Sequence, residues 1–170
     1  MMILICGTSG SGKSKIAEDK LESFDGAKKF YIATAKIFDD EMLERVKKHK
    51  VMRAGKNFIT IEREKNLGEI NIPKDSSVLI ESLTTWLANE IFNSETSSNV
   101  LGKIFNDIQE LKAKCENLIL VSDDIFSDGI IYDDETEFYR KTLAELMIKI
   151  AAEADEVIEC VAGLAWCYNH

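Results

Sequence analysis

An apolar run, Met2–Cys6, leads straight into Gly7-Thr8-Ser9-Gly10-Ser11-Gly12-Lys13-Ser14, and a helical pattern follows. The octet satisfies G-x-x-x-x-G-K-[ST] at every fixed position. Glycines let backbone N–H groups curl around phosphate oxygens where a Cβ would obstruct. The next helix then presents its positive end to the same anion. In such a loop Lys13 reaches the β- and γ-phosphates and the Ser14 hydroxyl ligates Mg²⁺. A merely flexible glycine turn needs neither the preceding strand nor the following helix. The segment reads as a nucleoside-triphosphate site.

The rest of the chain repeats the alternation that begins there. Apolar runs at Met2–Cys6, Phe30–Ala33, Phe58–Ile61, Val78–Ile80, Leu118–Val121 and Val157–Val161 read as strands. Lys13–Glu22, Asp39–Lys50, Leu83–Phe92, Val100–Cys115 and Thr136–Ala154 read as helices, and Asn93–Asn99 as a loop. Strands alternating with helices predict a parallel sheet covered on both faces. The strands are continuously apolar, as burial on both sides requires. The fold class is α/β, and residues 1–170 form a single nucleotide-binding domain.

Charge excludes other partners. Lys and Arg total 21 against 30 Asp and Glu, a net charge of −9, which repels nucleic acid and anionic lipid. No segment reads as a signal peptide or membrane span, and the four cysteines show neither C-x-x-C spacing nor a histidine at zinc-ligand spacing. These features predict a cytoplasmic protein with small-molecule partners.

A Mg²⁺–phosphate site also wants a carboxylate at the end of a buried strand. Glu81 follows Val78-Leu79-Ile80, and Asp123-Asp124 follow Leu118–Val121 and Ser122. Glu81 is preferred because it abuts its strand and a helix comes next. An ordinary helix cap or a solvated loop charge explains either place equally simply.

The segment Asp39–Lys50 begins acidic and ends basic, as the helix dipole favours. The dipole does not explain His49, which shares a face with Met42 and Val46 at i, i+4 and i+7 spacing. A satisfied core histidine is the bland reading. However, Arg45, Lys47, Lys48, Lys50, Arg53 and Lys56 form a dense basic patch around it in an otherwise acidic chain. Nearby cations disfavour imidazolium and keep a ring nitrogen free as a nucleophile. The same cations suit a triphosphate and a departing pyrophosphate.

With these residues in view, the chain resembles the bifunctional adenosylcobinamide kinase/adenosylcobinamide-phosphate guanylyltransferase family of cobalamin biosynthesis. The resemblance rests on Gly7–Ser14, Tyr31-Ile32-Ala33-Thr34-Ala35, Asp39-Asp40-Glu41-Met42 with Arg45, His49 and Arg53, Phe58–Glu62, Glu81–Asn89, Ala154–Val157 and Val161–Leu164. It implies a mainly parallel P-loop NTPase-type sheet with helices on both faces. It further implies that His49 carries a covalent GMP. Nucleotide contacts would fall on the loop, on Ala33, Thr34 and Ala35, on Lys50, Val51, Met52 and Arg53, and on Glu62 and Glu81. ATP or GTP would phosphorylate the aminopropanol hydroxyl of adenosylcobinamide. GMP from GTP would then pass through His49 to the cobinamide phosphate. A homo-oligomer, a trimer in the family, is implied as well. The family's Asn-Glu-Val-Gly after the fifth strand is replaced here by Ser122-Asp123-Asp124-Ile125.

Two other readings stand beside this one. A plain P-loop small-molecule kinase would use His49 and its patch only to bind substrate phosphate. A non-catalytic GTP-binding homologue would do no chemistry.

Overall fold

The computed structural model describes residues 1–25, 28–35, 44, 55–92 and 99–169. Seven strands form one sheet: β1 (Met2–Gly7), β2 (Lys28–Ala33), β3 (Phe58–Glu62), β4 (Ser76–Glu81), β5 (Asn117–Asp123), β6 (Glu156–Val161) and β7 (Leu164–Asn169). Their order is β3-β2-β4-β5-β1-β6-β7. Every neighbouring pair is parallel except the β6–β7 hairpin.

Side-chain alternation along β1 shows how the layers are made. Ile3 and Ile5 point to one face, where α1 (Lys13–Ser23) buries Ala17 and Leu21 against Tyr31, Leu79, Ile119 and Val121. Met2 and Leu4 point to the other, which is covered by α2 (Leu83–Phe92), α3 (Val100–Lys114) and α4 (Asp134–Glu153). On α3 the apolar stripe Val100, Ile104, Ile108 and Leu111 faces inward, and Trp86 of α2 is fully buried. Asn99 caps α3 by accepting from the Gly102 N–H, and Asp133 caps α4 by accepting from the Thr136 N–H.

All six predicted strands are present, lengthened by one to three residues at polar ends, where backbone pairing continues past the apolar run. Four of the five predicted helices are present as well. Of the fifth, Asp39–Lys50, only Glu44 lies among the described residues, and it is helical. The predicted loop Asn93–Asn99 lies outside the described residues except for Asn99.

Strand β7 is an addition. The last strand read from the sequence ends at Val161, but Ala162 (φ 49°) and Gly163 (φ 82°) both adopt left-handed backbone and reverse the chain into a hairpin. Alanine at the first of these positions is an unusual turn residue, and it hides the hairpin from a sequence reading.

Strand order sets the place for a ligand. β1 leads into α1 on one face and β5 leads into α4 on the other, yet β1 and β5 are neighbours. A crevice opens at the carboxyl ends of such a pair, where open α/β sheets bind ligands.

Candidate functional site

The glycine loop occupies that crevice. A Cβ on Gly7 would stand 2.5 Å from the Cys160 carbonyl and 2.6 Å from Ser11 Oγ, so only glycine lets the chain leave β1 here. Gly12 sits at φ 91° as the N-cap of α1, and the Gly163 N–H donates to the Ser11 carbonyl at 2.9 Å. The β6–β7 turn thus buttresses the loop from outside. Thr8, Ser9 and Gly10 are exposed at its lip, while Ser11 and Lys13 are buried.

Two carboxylates converge on the loop from adjacent strands. Ser14 Oγ donates to Glu81 Oε1 at 2.7 Å. Lys13 Nζ lies 2.5 Å from Asp123 Oδ1 and donates to the Thr8 carbonyl at 3.1 Å. The sequence alternatives for the strand-end carboxylate are therefore both used, with different partners. Burial pushes the Glu81 carboxyl up to about 7, against the opposing pull of the Ser14 hydrogen bond and the Lys13 charge.

A hydroxyl network fixes these carboxylates from behind. Thr34 Oγ1 donates toward the carbonyls of Glu81 and Ser82, and accepts from the Ser82 N–H at 2.8 Å. Asn89 Nδ2 donates to the Thr34 carbonyl at 2.8 Å. Ser82 Oγ and Thr84 Oγ1 are 2.8 Å apart, and Thr84 Oγ1 donates to Asp123 Oδ2 at 3.0 Å. Thr84 and Ser82, whose short polar side chains gave no signal of a site role, thus tie the ends of β4 and β5 together.

The predicted nucleotide residues divide by strand position. The loop, Glu81 and Thr34 are joined by the contacts above, with Ala33 and Ala35 flanking Thr34. Glu62 is exposed at the end of edge strand β3, opposite Ala33. Four strand places separate it from Gly7, about 19 Å at ordinary strand spacing. His49, Lys50, Val51, Met52 and Arg53 lie outside the described residues. Lys56, the described member of the basic patch, faces α1 instead, pairing with Glu18 at 3.2 Å, Asp19 at 3.2 Å and Glu22 at 3.7 Å.

Mg²⁺ fits the residues present. The Ser14 hydroxyl and the Glu81 carboxylate are hard oxygen donors side by side, and Glu81 Oε2 is buried with no hydrogen-bond partner among the described residues. A cation would satisfy that oxygen.

Loop, crevice and mainly parallel sheet define a P-loop nucleotide-binding α/β protein. Residues 3–167 match the cobinamide kinase / cobinamide phosphate guanyltransferase family, and the chain belongs to that family of enzymes. It is 31% identical to the bifunctional adenosylcobalamin biosynthesis protein CobU of Escherichia coli (strain K12), over 96% of this chain and 97% of that protein. It is 28% identical to the bifunctional adenosylcobalamin biosynthesis protein CobP of Pseudomonas aeruginosa, over 95% of this chain and 87% of that protein. Among solved structures, the flagellar accessory protein FlaH from Methanocaldococcus jannaschii superposes with a TM-score of 0.47 at 14% identity, covering 96% of this chain and 74% of that one. Among the described residues, no helix is long and apolar enough to cross a membrane.

Proposed function

We propose that this chain both phosphorylates adenosylcobinamide and converts the product to its GDP derivative, as the names of its family and relatives describe for them. The observation that carries the reading is the meeting of Lys13, Ser14, Glu81 and Asp123 at the β1–β5 crevice, in a chain that matches the family along nearly its whole length.

In the kinase step, loop N–H groups and the α1 N-terminus hold the triphosphate. Lys13 leaves Asp123 to meet the phosphates, stabilising charge as the γ-phosphoryl moves to the aminopropanol hydroxyl. Ser14 and Glu81 would hold Mg²⁺, which would neutralise phosphate charge when bound. In the second step His49 attacks the α-phosphorus of GTP. The bond to pyrophosphate breaks, and the histidine–GMP phosphoramidate passes GMP to the cobinamide phosphate. Ala33, Thr34, Ala35, Lys50, Val51, Met52, Arg53 and Glu62 contribute to nucleotide binding.

The partners are thus a corrinoid and a nucleoside triphosphate, ATP or GTP in the first step, handled by one domain in the cytoplasm. Assembly of several copies, a trimer by resemblance, is supported by one face of the β6–β7 hairpin. There Val161, Leu164, Trp166 and Tyr168 are all exposed.

The test is incubation with Mg²⁺ and GTP labelled at the α-phosphate, followed by denaturation. Label that stays on the polypeptide, survives alkali and is lost in acid supports the histidine intermediate. A protein that binds GTP and retains no label has no such step.

A further inference from the structure

A cavity of about 510 Å³ lies beside the phosphate loop, between Thr8 and the connection from β5 to α4. Asp124, Ser127, Asp128, Tyr132 and Arg140 help line it. Its place follows from the fold. Asp124 is one residue beyond the carboxylate that holds Lys13, and its N–H donates to the Gly7 carbonyl at 2.9 Å. The cavity therefore opens at the phosphate end of the loop, on the side of the sheet that α4 covers.

Its charges are largely paired, although the Arg140 Nε is buried with no hydrogen-bond partner among the described residues. Arg140 donates to Glu137 Oε1 at 2.7 Å and lies over the Tyr132 ring, 5.1 Å from its centroid. Asp128 accepts from the Tyr132 hydroxyl at 2.6 Å and from the Ile130 N–H at 3.1 Å. Asp124 accepts from the Phe126 N–H at 3.0 Å through Oδ1 and makes no ion pair among the described residues. The wall next to the loop thus offers a carboxylate oxygen. Arg140 is shared between Glu137 at 2.7 Å and Asp128 at 3.8 Å, so Asp124 is the lining carboxylate without an ion pair among the described residues. Such a space admits a neutral alcohol or amide arm beside that carboxylate.

We infer that this cavity seats the hydroxyl-bearing arm of the phosphoryl acceptor, with Asp124 receiving the hydroxyl proton. The inference rests on the proposed kinase activity and adds the acceptor subsite to it. In the step, the acceptor oxygen bonds to the γ-phosphorus as the bond from that phosphorus to the bridging oxygen breaks. The bond pair stays with the nucleoside diphosphate, and the proton passes to Asp124 and then to water.

The experiment measures steady-state phosphorylation of adenosylcobinamide by wild type, Asp124→Asn and Ser127→Trp. Asparagine can still accept from the Phe126 N–H but cannot take the proton, so kcat should fall about 100-fold or more. Tryptophan at exposed position 127 fills the cavity and should raise the acceptor KM about tenfold while leaving the nucleotide KM unchanged. Wild-type kcat in Asp124→Asn together with wild-type acceptor KM in Ser127→Trp overturns the subsite. A Ser127→Trp effect on the nucleotide KM alone also overturns it and assigns the cavity to the nucleotide. Wild type that fails to phosphorylate adenosylcobinamide sinks the underlying kinase reading instead.

Discussion

Lys13 Nζ lies 2.5 Å from Asp123 Oδ1 across the β1–β5 crevice, so the lysine of the glycine loop rests on a carboxylate. Thr84 holds the other oxygen of Asp123 at 3.0 Å, which fixes the resting position of the lysine. In the proposed kinase step a nucleotide would have to outcompete that pairing, with more negative charge and several loop N–H donors.

Replacing Lys13 with alanine should lower the kinase rate about 100- to 1000-fold, the usual cost of losing one charge-stabilising donor. Circular dichroism should report an intact fold, because the side chain packs against the crevice and not in either core layer. A normal rate in this variant would remove the phosphate-loop assignment.

Glu81→Gln should raise the Mg²⁺ concentration needed for half-maximal kinase rate by at least about tenfold. Glutamine keeps the shape and can still accept from Ser14, but it lacks the charge a hard cation requires. A Mg²⁺ titration of the initial rate checks this, and an unchanged half-saturation point would place the cation elsewhere.

His49→Ala should abolish retention of the α-phosphate label and largely spare phosphorylation of adenosylcobinamide. The two assays on one protein preparation separate the steps. If a folded variant lost both activities, the histidine would be positional and not a nucleophile.

Away from the site, the Glu90–Lys103 pair predicts a pH effect on stability. Burial alone would raise the Glu90 carboxyl. Hydrogen bonds from Lys103 at 2.5 Å, from the Asn66 N–H at 3.0 Å and from Trp86 Nε1 at 3.3 Å hold it below the usual range. A carboxyl depressed in the folded state contributes stability that is present above the unfolded value of 4.5 and lost as pH falls through the folded one. Lys103→Met leaves a buried carboxylate without its cation and should cost about 3 kcal/mol at neutral pH. Denaturant titrations should show that deficit shrinking as pH falls toward the depressed folded value, and smallest below it, where Glu90 is neutral in both proteins. A deficit that stayed constant with pH would mean that the lysine acts through packing alone.

What could be read from the sequence was local or periodic. The loop Gly7–Ser14 announces itself because each residue type answers a steric or electrostatic need within eight positions. The strands announce themselves because burial on both faces demands unbroken apolar runs. Hairpin β6–β7 escaped because its turn uses Ala162 at a left-handed position, where the usual signal is asparagine or aspartate.

The tertiary structure decided how the site is assembled. From spacing alone, Glu81 and Asp123 compete for one role, since nothing within either segment says which strand lies beside β1. The order β4-β5-β1 places both at the crevice, Glu81 on Ser14 and Asp123 on Lys13, and puts Glu62 four strands away from Gly7. Strand adjacency is a non-local property, set by how two helical layers cover the two faces of one sheet. Residue types therefore marked the phosphate loop, and packing alone determined which carboxylates meet it.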